Sequence, residues 1–120
     1  MNNYFFLDTY AIFEFLSGNP NYTKYKKARH TLTIFNLIEL NYNLKKEISK
    51  SKADKITSDY YPLATNILLE DIISAMDLKS KNRKLSAPDC IGYTVAKRLG
   101  AKFLTGDKAF ENIQGVEFVK

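Results

Sequence analysis

Four acidic residues in this sequence have the type and spacing to do chemistry together: Asp8, Glu39, Asp89 and Asp107. Asp8 directly follows the apolar run Tyr4-Phe5-Phe6-Leu7, and Asp107 stands two residues beyond Lys102-Phe103-Leu104-Thr105. Both runs read as strands, and in a parallel sheet flanked by helices the carboxyl ends of the strands open onto a common crevice. Asp89 and Glu39 each fall in the first turn of a predicted helix. If those helices run back from the same sheet edge, all four acids converge.

Convergence is costly. Two like charges about 4 Å apart repel by about 4 kcal/mol at an effective dielectric near 20. A divalent cation, or a pair of them, removes that penalty. No His or Cys lies near these positions in sequence except Cys90, so ligation by oxygen favours Mg²⁺ or Mn²⁺ over zinc. Such an ion activates water, orients a phosphodiester and stabilises the leaving oxygen. Each acid also has a plain structural use. Ser86-x-x-Asp89 and Asn36-x-x-Glu39 resemble helix-capping patterns, and Asp107 can cap the segment after it. Glu39 lies opposite the Leu37-Leu44-Ile48 stripe, as a solvated residue would. Asp8 has no such obvious use, and the chemical reading rests on the set.

The elements that must position these residues alternate along the chain. After the first strand, Ala11-Ile12-Phe13 and Phe15-Leu16 predict a helix broken by Ser17-Gly18-Asn19-Pro20. Asn21 to His30 predicts a short helix with Tyr22, Tyr25 and Ala28 inside. Thr31-Leu32-Thr33-Ile34-Phe35 predicts a second strand. Asn36 then serves as a candidate N-cap for a helix running to about Ser49. Ser51 to Tyr60 predicts a further helix stopped by Pro62, Ala64 to Leu68 a short strand, and Glu70 to about Lys81 another helix. The basic connection Lys79 to Lys84 leads to Ser86-Ala87-Pro88-Asp89, which opens the clearest helix. There Ile91, Val95 and Leu99 fall at helical spacing, and Gly100 suits the position just past its end. The strand Lys102–Thr105, a short helical segment holding Phe110 and Ile113, and a last strand Val116–Val119 complete the chain. The fold class expected is therefore α/β, a three-layer α/β/α sandwich around a central, mainly parallel sheet.

With 120 residues and 45% hydrophobic content, the chain suits one domain over residues 1–120. No apolar stretch approaches the roughly 18 residues of a membrane span. Asp8 and Glu14 interrupt the apolar N-terminal segment, and no basic residues precede it, so it does not read as a signal peptide. The lone Cys90 excludes an internal disulfide and reads as a small buried helix residue. A cytoplasmic location is expected. The formal net charge is +5; with four acids gathered at one site the rest of the chain carries +9, that is 5 − (−4). A basic surface around an acidic pocket suits an enzyme acting on a phosphodiester backbone. Lys45, Lys46, Arg83 and Lys84 are candidates to steer that backbone. His30, the sole histidine, is far in sequence from every acid and reads as structural or exposed.

The chain resembles the PIN-domain nucleases, and among them the VapC-type toxins of toxin–antitoxin pairs. The resemblance is carried by Phe6-Leu7-Asp8-Thr9, by Ile38-Glu39-Leu40, and by Leu85-Ser86-Ala87-Pro88-Asp89-Cys90-Ile91 with Ala96 and Leu99-Gly100. It continues through Phe103-Leu104-Thr105-Gly106-Asp107-Lys108-Ala109-Phe110. It implies Mg²⁺- or Mn²⁺-dependent endoribonuclease activity, with Asp8, Asp89 and Asp107 as metal-binding aspartates. Glu39 matches the family's further acid, which helps hold metal or position water. Thr9 and Thr105 match polar positions beside the site, although hydroxyls bonding nearby backbone are an equal reading. The resemblance further implies an RNA substrate, a cognate antitoxin protein and a homodimer.

Two other readings stand beside this one. A phosphoryl-transfer domain with Asp8 as nucleophile is disfavoured, because such phosphatases usually need a second Asp two residues on and position 10 is Tyr. A catalytically inert module that binds RNA or protein is disfavoured by the presence of all four acids.

Overall fold

The computed structural model describes residues 3–120. Four strands form one sheet: β1 (Tyr4–Leu7), β2 (Arg29–Thr31), β3 (Lys102–Thr105) and β4 (Val116–Phe118), in the order β2-β1-β3-β4. All pair in parallel. Five helices cover the sheet: α1 (Thr9–Ser17), α2 (Ile34–Lys45), α3 (Lys50–Tyr60), α4 (Leu69–Lys81) and α5 (Ala87–Leu99). The expected three-layer α/β/α architecture is the one found.

Alternation along β1 divides the core in two. Phe5 and Leu7 join Ile12, Leu37, Leu40, Leu44 and Leu104 on the face covered by α1, α2 and α3. Phe6 points the other way and joins Phe103, Cys90, Val95 and Phe110 beneath α4 and α5. Phe6 stacks on Phe103 at 5.4 Å between ring centroids, and Phe103 meets Phe110 at 4.5 Å. These rings tie the two central strands to the segment just past Asp107. Because β1 and β3 are apolar on both faces, they occupy the middle of the sheet, as buried parallel strands do. Their carboxyl ends therefore lie side by side.

Helix ends follow local chemistry. Ser86 caps α5, accepting from the Asp89 N–H at 3.1 Å, and Gly100 ends that helix at φ 72°. Asp71 on α4 is 2% exposed, accepts from the Leu68 N–H at 2.8 Å and pairs with Arg98 of α5 at 2.9 Å. That pair pins the outer helix layer together.

Three sequence expectations are corrected. Residues 21–30 do not form an α-helix. A 3₁₀ helix spans Pro20–Tyr25, and β2 begins at Arg29. Two tyrosines draw this segment down: the Tyr22 hydroxyl donates to the Val119 carbonyl at 2.6 Å and the Tyr25 hydroxyl to Glu117 at 2.7 Å. The second strand ends at Thr31 rather than Phe35, and α2 begins at Ile34 with Thr33, not Asn36, as its N-cap. Asn36 occupies the third helical position and accepts from the Thr33 N–H at 2.9 Å, which starts the helix earlier than its apolar spacing indicates. Residues 64–68 form no strand; a single bridge joins Leu32 to Ala64 before α4 begins. At the other junctions α2 stops at Lys45, and Ser49 caps α3.

Candidate active site

Asp8 leaves β1 and caps α1. Its Oδ1 accepts from the Thr9 N–H at 2.9 Å, and its Oδ2 accepts from the Thr105 hydroxyl at 2.6 Å. The side chain is buried, with 7% of the residue exposed. Burial is the largest influence on its carboxyl and pushes the pKa up to about 7. The negative charges of Asp89 and Asp107 push in the same direction, against the hydrogen bonds from Thr105 and Thr9.

Thr105, at the end of β3, is fully buried and joins two acids. Its hydroxyl donates to Asp8 and accepts from the Asp107 N–H at 3.0 Å. Asp107 turns its Oδ1 to the Ala109 N–H at 3.0 Å, so it does cap the short segment after it. Between them, Gly106 can carry no side chain. A Cβ there would run into the Val119 carbonyl and the Tyr10 ring. This close approach sets the turn that brings Asp107 back over the strand ends.

Asp89 stands in the first turn of α5. Its Oδ2 accepts from the Ser86 N–H at 3.3 Å. Burial raises its pKa, as does repulsion from Asp107, while Ser86 and the charge of Lys79 oppose the rise. Three of the four acids thus act electrostatically on one another: Asp8 with Asp89 and Asp107, and Asp89 with Asp107. Glu39 stands apart, exposed on α2, and reaches the group through Thr9, whose hydroxyl donates to its Oε1 at 2.9 Å.

Among the described residues, no lysine or arginine forms an ion pair with any of these four acids. Nor do three His, Cys, Asp or Glu side chains there gather closely enough to ligate one ion as they stand. The reason is local. Each aspartate turns at least one oxygen to a backbone or hydroxyl donor of its own segment. Asp89 Oδ1 and Asp107 Oδ2 accept from no donor among the described residues. The donor set suits a divalent cation in kind: hard oxygens only, a buried acid held against two like charges, and no lysine or arginine in ion-pair contact with them among the described residues.

Other candidates have other uses. Lys45 is held by Asp54 at 3.1 Å. Lys46 lies over the Tyr42 ring, 4.4 Å from its centroid. Arg83 and Lys84 are exposed on the loop before Ser86. His30 turns Nε2 to the Tyr25 carbonyl at 2.7 Å and packs on Phe15; burial lowers its pKa. Cys90 is buried, and burial raises its thiol, so it is a poor nucleophile. Sequence reasoning missed the supporting donors around the acids. Asn36 donates to the Thr9 hydroxyl at 3.2 Å, and Lys79 donates to the Leu85 carbonyl at 2.9 Å beside Asp89. An Asn three residues before a helical acid was the one available signal, and it reads equally as a cap.

The family model described as PIN domain matches residues 5–116. No curated protein matches the sequence. Among solved structures, the chain is similar to one in a toxin–antitoxin complex from Klebsiella pneumoniae, with a TM-score of 0.74, 21% identity, and 92% of this chain and 93% of that chain covered. It is also similar to a chain of VapBC2 from Rickettsia felis bound to a DNA fragment from their promoter, with a TM-score of 0.72, 13% identity and 97% of each chain covered. A third is DNA-bound VapBC from Salmonella typhimurium, with a TM-score of 0.72, 17% identity, and 99% of this chain and 98% of that chain covered. At these identities the likeness is one of fold.

Proposed function

The chain belongs to the PIN-domain family, and on that premise we propose that it is a metal-dependent endoribonuclease, the VapC-type toxin of a type II toxin–antitoxin pair. One observation carries the reading: a buried aspartate at the end of the central strand, pushed up to about 7, faces two further aspartates and has no basic partner among the described residues. Asp71, also buried, is by contrast paired with Arg98. A buried acid set among like charges with no ion-pair partner is an arrangement that a cation would relieve.

Asp8, Asp89 and Asp107 would hold Mg²⁺ or Mn²⁺, with Glu39 completing the set directly or through water. When bound, the ion supplies positive charge for the phosphodiester and lowers the pKa of water. The chain's own residues do the rest. Thr105 fixes Asp8 Oδ2 by donating to it and aligns Asp107 through the backbone. Glu39 Oε1 accepts from Thr9, and Oε2 would be the oxygen left to take a proton from water. A groove lined by Lys81, Arg83, Lys84 and Ala109 includes a residue two positions past Asp107 in sequence, though none of the four acids lines it. Its cations suit the phosphates of an RNA backbone, with affinity that falls as salt rises.

With this reading go a single domain over residues 1–120, a cytoplasmic site of action, a cognate antitoxin and a homodimer. The antitoxin is supported by the complexes in which similar folds are found. No helix among the described residues is long and apolar enough to cross a membrane. The test is RNA cleavage by the purified chain with Mg²⁺ or Mn²⁺, with chelator, and by Asp8→Asn. The expected result is cleavage that needs both the ion and Asp8. Ion binding by calorimetry without cleavage would leave an inert binding module, and cleavage untouched by chelator would remove the mechanism.

A further inference from the structure

Glu39 is exposed on α2, and packing does not aim its side chain. Its direction comes instead from a chain of hydrogen bonds that begins in the core. Thr33, 1% exposed, gives both its N–H (2.9 Å) and its hydroxyl (3.1 Å) to Asn36 Oδ1. Because a backbone N–H only donates, the oxygen of the Asn36 amide must face Thr33. The Nδ2 group is thereby forced the other way, toward α1. It donates to Thr9 Oγ1 at 3.2 Å. The Thr9 oxygen is then acceptor to Asn36, and its one proton goes to Glu39 Oε1 at 2.9 Å. The amide of a residue only 6% exposed thus sets the orientation of a hydroxyl on a neighbouring helix, and that hydroxyl sets an exposed acid.

The geometry points to Asn36 as a positioning residue: through the proton of Thr9, the residue next to Asp8, it fixes the direction of the Glu39 carboxylate. The Asn36 side chain hydrogen-bonds to Thr33 and Thr9 and to none of the aspartates among the described residues. This inference rests on the role given to Glu39 above. A cap alone explains Oδ1 and not Nδ2, because any acceptor at this position satisfies the Thr33 N–H. Thr9 itself follows Asp8 and gives its N–H to Asp8 Oδ1, so the relay passes through the residue next to the buried acid.

The experiment is a double-mutant cycle of Asn36→Ala and Thr9→Val, read in two ways that need no RNA. The first is Mn²⁺ affinity, from the electron paramagnetic resonance signal of the free ion. Each single variant is expected to weaken binding about tenfold, as loss of an outer-shell partner does. The double variant should be no weaker than either, since both cut one relay, and Thr9→Ser should bind as the parent does. Losses that multiply to about a hundredfold, or no loss in Asn36→Ala, would overturn the relay. The second readout is the side-chain rotamer of Glu39 in metal-free protein, from three-bond couplings. It should be single in the parent and averaged in Thr9→Val. It should also be averaged in Asn36→Asp, which keeps the cap and so serves if Asn36→Ala fails to fold. A single rotamer in all three overturns the inference. A parent protein that binds no Mn²⁺ refutes the metal-dependent reading, and the rotamers still judge the relay.

Discussion

Replacing Asp8 with Asn should make the metal-free protein more stable at pH 8 and less stable at pH 4. The Asp8 carboxyl stands at about 7 in the folded chain against 3.8 when unperturbed, so the native state holds its proton more tightly than the unfolded state. The consequence for stability has a definite sign. Below the unfolded value both states are protonated and Asp8 carries no penalty. As pH rises through 4 to 7 the unfolded chain ionises first, and native stability falls until the folded carboxyl ionises too. A rise of about three pKa units at about 1.4 kcal/mol each amounts to about 4 kcal/mol of lost stability at pH 8. The amide removes that penalty but disturbs Thr105. That hydroxyl already accepts from the Asp107 N–H and would now meet an NH₂ group where it had an acceptor. A buried donor left without its partner costs about 1–3 kcal/mol. The net gain at pH 8 is therefore about 1–3 kcal/mol, and at pH 4 only the cost remains. Urea unfolding of both proteins from pH 4 to 8 in chelator measures it, because the difference between them cancels the other titrating groups. Added Mn²⁺ should then stabilise the parent by mass action and leave Asp8→Asn unchanged. A difference between the two that stays constant with pH would refute the argument that Asp8 is a strained, unpaired acid.

Further outcomes follow from the same geometry. Asp89→Asn should keep the bond from the Ser86 N–H through its amide oxygen, hold folding stability within about 1 kcal/mol, and lower Mn²⁺-dependent RNA cleavage on the order of 10²-fold or more; urea unfolding and a cleavage assay check the two halves separately. Gly106→Ala should cost about 1–3 kcal/mol by overpacking against the Val119 carbonyl and Tyr10, and should weaken Mn²⁺ binding because Asp107 is displaced; native binding in a destabilised variant would break the link between that turn and the site. Arg98→Ala should cost about 3–5 kcal/mol in thermal or urea unfolding, since Asp71 is left buried without its partner. In the parent, Arg98 holds the Asp71 carboxyl below its usual value, so that stability is present above pH 4 and is lost as pH falls through the lowered value.

The layers of this fold were legible wherever one period ran long enough to exclude another. Tyr4–Leu7 and Lys102–Thr105 are short apolar runs ending in a polar site residue, and α5 carries a cap, a proline, an apolar stripe and a terminal glycine in register. The segments misread are those in which a tertiary bond overrides local pattern. Tyr22 and Tyr25 have helical spacing, but each reaches the last strand or its end with its hydroxyl, and the chain tightens into a 3₁₀ helix. Thr31 to Phe35 is β-branched and aromatic, yet Thr33 with Asn36 turns it into a helix start. At Ala64 a single bridge was all the edge of β2 could accept before α4 began.

The acids themselves could be picked out because their positions have a topological cause. Two parallel neighbours, β1 and β3, end together, and a residue just past each end must face the same crevice whatever its type. Finding Asp at both places is then informative. Their neutral supports carry no such mark. Thr9, Thr33, Asn36 and Thr105 each have several local uses, and only distances across 27 to 97 residues of sequence separate a cap from a strut. This asymmetry has a physical root. A carboxylate among carboxylates is destabilising unless something answers it, so its presence demands an explanation at the level of sequence. A hydroxyl or amide satisfied by its neighbours costs little anywhere. Burial then sorts the acids themselves. Burial raises the carboxyls of Asp8 and Asp89, and the charge of Asp107 adds to that rise, while Glu39 is exposed and accepts from the Thr9 hydroxyl. If the proposed ion binds, its main hold should be on the aspartate side, with the glutamate side the more adjustable. Substitutions in the relay should therefore weaken ion binding about tenfold, whereas Asp8→Asn should abolish it.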